Sequence, residues 1–87
     1  MLLNSMNFIP VNVSTNSGLR SGEVPESFVY EGIEYIISEI NDRWYQIDNK
    51  QGFPVSDYFK VVTSEQNIFM LKHEMAENKW LIAEYNL

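Results

Sequence analysis

The sequence predicts an all-β protein: a small antiparallel meander of five or six strands, curled into a partly open SH3-like barrel or roll. Two aromatic and β-branched runs, Phe28-Val29-Tyr30 and Ile33-Glu34-Tyr35-Ile36-Ile37, are separated only by Glu31-Gly32. A two-residue connection with glycine second suits a tight hairpin, because glycine accepts positive φ without steric cost. Several later strands are apolar on both faces. Phe59, Val61, Phe69, Leu71, Trp80 and Ile82 fall in one layer, and Ile36, Ile40, Tyr58, Val62, Ile68, Met70, Leu81 and Ala83 in the other. An open antiparallel sheet normally solvates one face and alternates cleanly. Both faces here need a cover, and closure into a barrel supplies one. Core material is adequate as well. A chain of 87 residues buries only about 60% of its unfolded surface, but 45% of this one is apolar and twelve residues are aromatic, each burying a large area.

Residues 1–26 read as an N-terminal segment, largely flexible, with an edge strand at 8–13, and residues 27–87 as one small β domain. Pro10 cannot donate to a ladder and is tolerated at an edge. Ser14 to Pro25 has the composition of a loop. The second strand of the hairpin is expected to run to about Ile40 and to resume at Trp44-Tyr45-Gln46. Asp48 to Pro54 reads as a loop, and Val55 to Thr63 as a strand with Phe59 and Val61 facing one way, Tyr58 and Val62 the other. The last quarter has two readings. Ser64-Glu65-Gln66-Asn67 resembles a helix cap, and Ile68, Leu71, Met75 and Ile82 roughly form a helical stripe, interrupted at Asn78. The other reading is a hairpin from Asn67 to His73, turning through Glu74 to Asn78 and returning from Lys79 to Tyr85. Asn78 suits a left-handed turn position, and the hairpin is the reading taken.

The stretch from Ile9 to Tyr85 resembles an uncharacterised bacterial family of small domains whose members are often encoded near Y-family polymerase-like proteins. The resemblance is carried by Pro25-Glu26-Ser27-Phe28-Val29-Tyr30-Glu31-Gly32-Ile33-Glu34-Tyr35, by Arg43-Trp44-Tyr45, by Asp57-Tyr58-Phe59-Lys60-Val61, and by Phe69-Met70-Leu71 followed by Asn78-Lys79-Trp80-Leu81-Ile82. It implies a small β domain with a closing hairpin and carries over no catalytic residues. Family members usually have glycine where this chain has Asn78, a swap that keeps the left-handed turn accessible. They also tend to be Arg-rich, whereas this chain is acidic, which argues against a nucleic-acid-linked role here.

Charge and composition narrow the function classes. Net charge is −6. Residues 1–42 hold six acids against Arg20, a balance of −5, and residues 43–87 hold six acids against five bases, −1. Phosphate backbones repel such a surface, and no basic stripe offsets it, so direct nucleic-acid binding is not expected. The acidic half is a solubilising face or a docking surface for a basic partner. The chain has no cysteine, which fits a reducing compartment. Met1-Leu2-Leu3-Asn4-Ser5 lacks a basic n-region and an apolar h-region. The longest apolar runs, Ile68 to Leu71 and Trp80 to Ala83, fall far short of the roughly 20 residues a spanning helix needs. A cytoplasmic protein without membrane contact is expected.

The residues offer little chemistry. His73 is the single histidine and is expected at the surface or a strand edge, without the defined partners a nucleophilic triad needs. His73-Glu74-Met75-Ala76-Glu77 places Glu where a zinc helix would place its second His. The four glycines are scattered, and no phosphate loop follows them. No catalytic residue, metal site or cofactor is predicted. The function expected is therefore a non-catalytic interaction module. It would bind a protein partner through exposed aromatics, Trp44, Tyr45 and Tyr58, or through a sheet edge. A structural homodimer pairing the surplus face around Met70 is the alternative, with a small hydrolase or metal-dependent enzyme as a more distant third.

Overall fold

The turn at Glu31-Gly32 organises the first half of the molecule. Both residues take positive φ, 54° and 79°, the geometry that matches the twist of flanking strands in a two-residue hairpin. It pairs Tyr30 with Ile33 and Phe28 with Tyr35. The computed structural model describes residues 6–16, 24–47 and 55–85. They form seven strands: β1 (Ile9–Pro10), β2 (Asn12–Asn16), β3 (Val24–Tyr30), β4 (Ile33–Ile47), β5 (Val55–Thr63), β6 (Ile68–Glu74) and β7 (Lys79–Glu84). All pair antiparallel, in the order β1-β7-β6-β5-β4-β3-β2, within one curled half-barrel sheet. No helix occurs among the described residues.

Two features curl the sheet. Strand β4 is long enough to belong to both halves. Its first residues pair with β3, and from Ile37 onward it pairs with β5. The register with β5 slips between Ile37 and Glu39 and again between Ile40 and Asp42, leaving Ser38 and Asn41 as bulged residues. Each bulge bends the strand and increases its twist. The Ser38 hydroxyl donates to the Val62 carbonyl at 3.1 Å, bracing the first of them. At the far edge of the sheet, β1 pairs with β7 while β2, one residue later, pairs with β3. The residue between them, Val11, donates its N–H to the Trp80 carbonyl at 3.1 Å. The chain thus passes from one edge of the sheet to the other at a single residue.

The core lies inside this curl. Phe28, Phe59, Val61, Phe69, Leu71, Trp80 and Ile82 are buried together, with Val11, Val13, Tyr30, Tyr35, Ile37 and Ile40 packed against them. Phe69 is the aromatic hub. Phe28, Tyr30 and Tyr35 all meet it edge-on at ring-centre distances of 5.2–5.4 Å, an arrangement favoured by the ring quadrupole. Removing a ring as fully buried as Phe59 would cost about 3–5 kcal/mol.

The C-terminal quarter is a hairpin. Ile68–Glu74 pairs with Lys79–Glu84 across a turn in which Asn78 has φ 51°. The segment whose sequence resembles a helix cap is a turn. The Thr63 hydroxyl accepts the Asn67 N–H at 3.1 Å, and Gln66 takes φ 75°.

Three expectations need correction. The edge strand expected over 8–13 is split in two, and its second piece extends to Asn16. Asn12 to Asn16 and Val24 onward are ladder strands that complete the curl, so part of the expected loop from Ser14 to Pro25 is sheet. The flexibility expected further along that segment falls on residues 17–23, which lie outside the described residues, as does the whole loop expected from Asp48 to Pro54. The two apolar layers are also redistributed. The bulges reverse side-chain parity along β4, so Ile40 packs into the core while Ile36 stands 51% exposed.

Candidate functional site

Of the aromatic residues expected to meet a partner, only part of the set is on the surface. Trp44 and Tyr58 are opposite each other in the β4–β5 ladder and stack face to face, ring centres 5.4 Å apart. Phe8 closes on Tyr58 edge-on at 6.0 Å, and the Lys72 ammonium lies 5.7 Å from both rings, Phe8 and Tyr58. Tyr58 is consequently buried, and so is Met70, at 3% exposure between Lys60 and Ala83 in the ladder. The expectation of an exposed Tyr58 fails because the N-terminal segment and Trp44 cover it. Tyr45, one residue along from Trp44, faces the other side of β4 and is 59% exposed. The structure brings Trp44 and Tyr58 together, puts Met70 on the same face of the sheet as Tyr58, and places Tyr45 on the other.

Sequence reasoning missed a polar cluster at the end of the core. Asp57 has the side-chain parity of Phe59 and Val61, and His73 that of Phe69 and Leu71, so both point inward. That parity was the signal available in the sequence. Asp57 is 1% exposed and accepts two hydrogen bonds from Arg43, from Nε at 3.2 Å and Nη2 at 2.8 Å. The hydrogen bond to Asp57 raises the Arg43 guanidinium above its already high ordinary value, against an opposing effect of burial. The same guanidinium lies 4.8 Å from the centre of the Phe59 ring. His73 is buried rather than at the surface, stacked on Trp80 at 4.2 Å and 7°. Its Nε2 lies 2.8 Å from Asn78 Oδ1. That oxygen can only accept, so the ring nitrogen donates.

These groups satisfy one another. No buried side-chain nitrogen or oxygen among the described residues lacks a hydrogen-bond partner. Arg43 and Asp57 neutralise each other in a bidentate pair, the geometry in which a guanidinium binds a carboxylate most strongly. Ser56, the neighbouring hydroxyl, points to the opposite face, opposite Glu74 rather than His73. The cluster is built as a polar plug that fixes register at one end of the core. Among the described residues, no group of three or more His, Asp or Glu side chains is placed to hold a metal ion.

A second place has the features of a docking site. Strands β3 and β4 remain paired only from the turn to Ser27 and Ile36. Beyond that pair β4 swings away at its bulges to join β5, while β3 continues alongside β2. The two strands splay apart and leave a concavity of about 540 Å³, lined by Pro25, Glu26 and Ser27 on one wall and Ile36 to Ile40 on the other. Among the described residues, each wall is a strand edge with no ladder partner on the side facing the gap. Ile36 lies at the cleft, and the exposed Val29 shares its face of the β3–β4 hairpin, while Ile33 points to the other.

No family model, curated protein or solved structure matches this chain. No helix of the described residues is long and apolar enough to cross a membrane.

Proposed function

We propose that this protein is a non-catalytic interaction module that takes an extended segment of a protein partner into the cleft where β3 and β4 separate. The observation that carries the reading is the splay itself: two strand edges, unpartnered among the described residues, facing each other across a cleft at which the apolar Ile36 is exposed. An unpaired edge offers a row of N–H and C=O groups to an incoming strand, and strand addition gives affinity through the main chain and specificity through side-chain pockets. Pro25 lacks an N–H, which leaves the β4 wall as the richer in donors. The homodimer through the Met70 face is not part of the reading, since Met70 is already buried within one chain. An SH3-like module, the resemblance to the small bacterial β domains and a cytoplasmic setting belong to the same proposal. They are supported by the curled antiparallel meander, the turns at Glu31-Gly32 and Asn78 and the cysteine-free sequence.

Selection of a random peptide library on the immobilised protein tests this. Enriched peptides should shift the amides of Val24, Glu26, Ser27 and residues 36–40 and should lose binding to a folded Ile36→Ser variant. Peptides that instead move the amides around Trp44 and Tyr45, or that bind the variant equally well, would reject the cleft as the docking site.

A further inference from the structure

The walls and surroundings of the cleft are acidic as well as apolar, and this bears on what the partner segment carries. Glu26 and Glu39 line the concavity on opposite walls. Glu34 stands exposed opposite Val29 on the adjoining hairpin, and Glu31 is exposed at its turn. Among the described residues none of these four carboxylates is in an ion pair. Glu39 accepts one hydrogen bond, from the Asn41 amide at 3.1 Å. The three cations of the described ion pairs, Arg43, Lys72 and Lys79, are engaged with Asp57, Glu74 and Glu77 instead. Three of the six acids of residues 1–42, Glu26, Glu34 and Glu39, thus lie in or beside this cleft without a described countercharge.

Resting on the docking reading above, we infer that the partner segment is basic. A lysine or arginine side chain enters the cleft with its aliphatic stem on Ile36 and its cation facing Glu26 and Glu39. Long basic side chains suit such a place, because they bury an apolar stem while keeping the charged head beside water and carboxylates. Self-association through the same face is disfavoured, since it would bring these carboxylates against one another. Acidic segments meet the same repulsion.

The test uses the full chain and three defined heptapeptides: alternating Lys-Leu, alternating Glu-Leu and alternating Lys-Ser. The Lys-Leu peptide should shift the amides of Glu26, Ile36, Ser38 and Glu39, and should bind more weakly as salt is raised. The double variant Glu26→Gln/Glu39→Gln, with circular dichroism confirming its fold, should weaken binding roughly three- to tenfold. Lys-Ser should bind less tightly than Lys-Leu, and Glu-Leu should cause no shifts. Equal binding of Lys-Leu and Glu-Leu that is still lost in Ile36→Ser overturns the basic partner and leaves the docking site standing. Indifference to both the glutamine and the serine variants overturns the two together. Cleft amides that shift with protein concentration alone would mean that the occupant is a second copy of the chain, which also overturns the inference.

Discussion

Asp57 shows how a single inward position changes what its neighbours must do. A carboxylate 1% exposed is costly to bury unless it is paired and hydrogen-bonded, and Arg43 supplies both bonds from the adjacent strand. The pair is asymmetric, because the Arg43 side chain is still 35% exposed and the Asp57 side chain 2%. Removing the arginine leaves a buried anion, whereas removing the charge of the aspartate leaves a cation that water reaches. Arg43→Ala should therefore lower the unfolding free energy by about 3 kcal/mol, Asp57→Asn should cost less, and adding Asp57→Asn to Arg43→Ala should recover part of the loss. Urea titrations of the two single variants and the double variant decide it. Simple additivity would mean that the two side chains are not coupled. His73 follows the same logic with a neutral partner, its ring held between the Trp80 face and the Asn78 amide.

Among the elements, the hairpins were the most legible and β4 the least. Glu31-Gly32 and Asn78 announce turns because few residues tolerate positive φ, so local chemistry alone marks them. Glu31 nonetheless occupies a left-handed position at φ 54°, a conformation that asparagine adopts more easily than glutamate. Glu31→Asn should stabilise the protein by about 0.5 kcal/mol, raising the thermal midpoint by roughly 2–4 °C; an unchanged or lower midpoint in calorimetry would count against a strained turn. Strand β4 was expected to break near Ile40 and instead runs unbroken to Ile47. Its bulges at Ser38 and Asn41 leave no clear mark in composition, because a bulge is set by how two strands meet and not by either sequence alone. Each bulge reverses parity, so any assignment of faces made by simple alternation fails beyond it. That is why Ile36 and Ile40 were assigned to one layer and lie in different environments.

At the scale of the molecule, closure depends on contacts between residues far apart in the chain. Where β3 and β7 approach, the Tyr30 hydroxyl donates to Glu84 Oε2 at 3.1 Å. Burial, followed by that hydrogen bond and the neighbouring negative charges, raises the Tyr30 phenol above its ordinary 10.0. A phenol raised in the folded state holds its proton more tightly there than in the unfolded chain. Its contribution is fully present below about pH 10 and is lost as pH rises through the folded value. The urea midpoint of the wild type should therefore fall more steeply above about pH 10 than that of Tyr30→Phe; parallel alkaline limbs would show that this contact does not couple to folding.

The amino-acid sequence by itself determined the β class, the positions of the tight turns and the choice of hairpin over helix at the C-terminus. It also determined the acidic balance. These follow from local backbone preference, side-chain period and composition, which act within a few residues. Only the tertiary structure decided which aromatics remain exposed, that Asp57 and His73 lie inside, and that β3 and β4 part to form a cleft. Exposure is decided by what else packs there: Phe8 and Trp44 cover Tyr58 from 50 and 14 positions away in the sequence. The cleft arises because β4 cannot follow both β3 and β5 once its bulges turn it, a conflict between two ladders that neither strand records on its own.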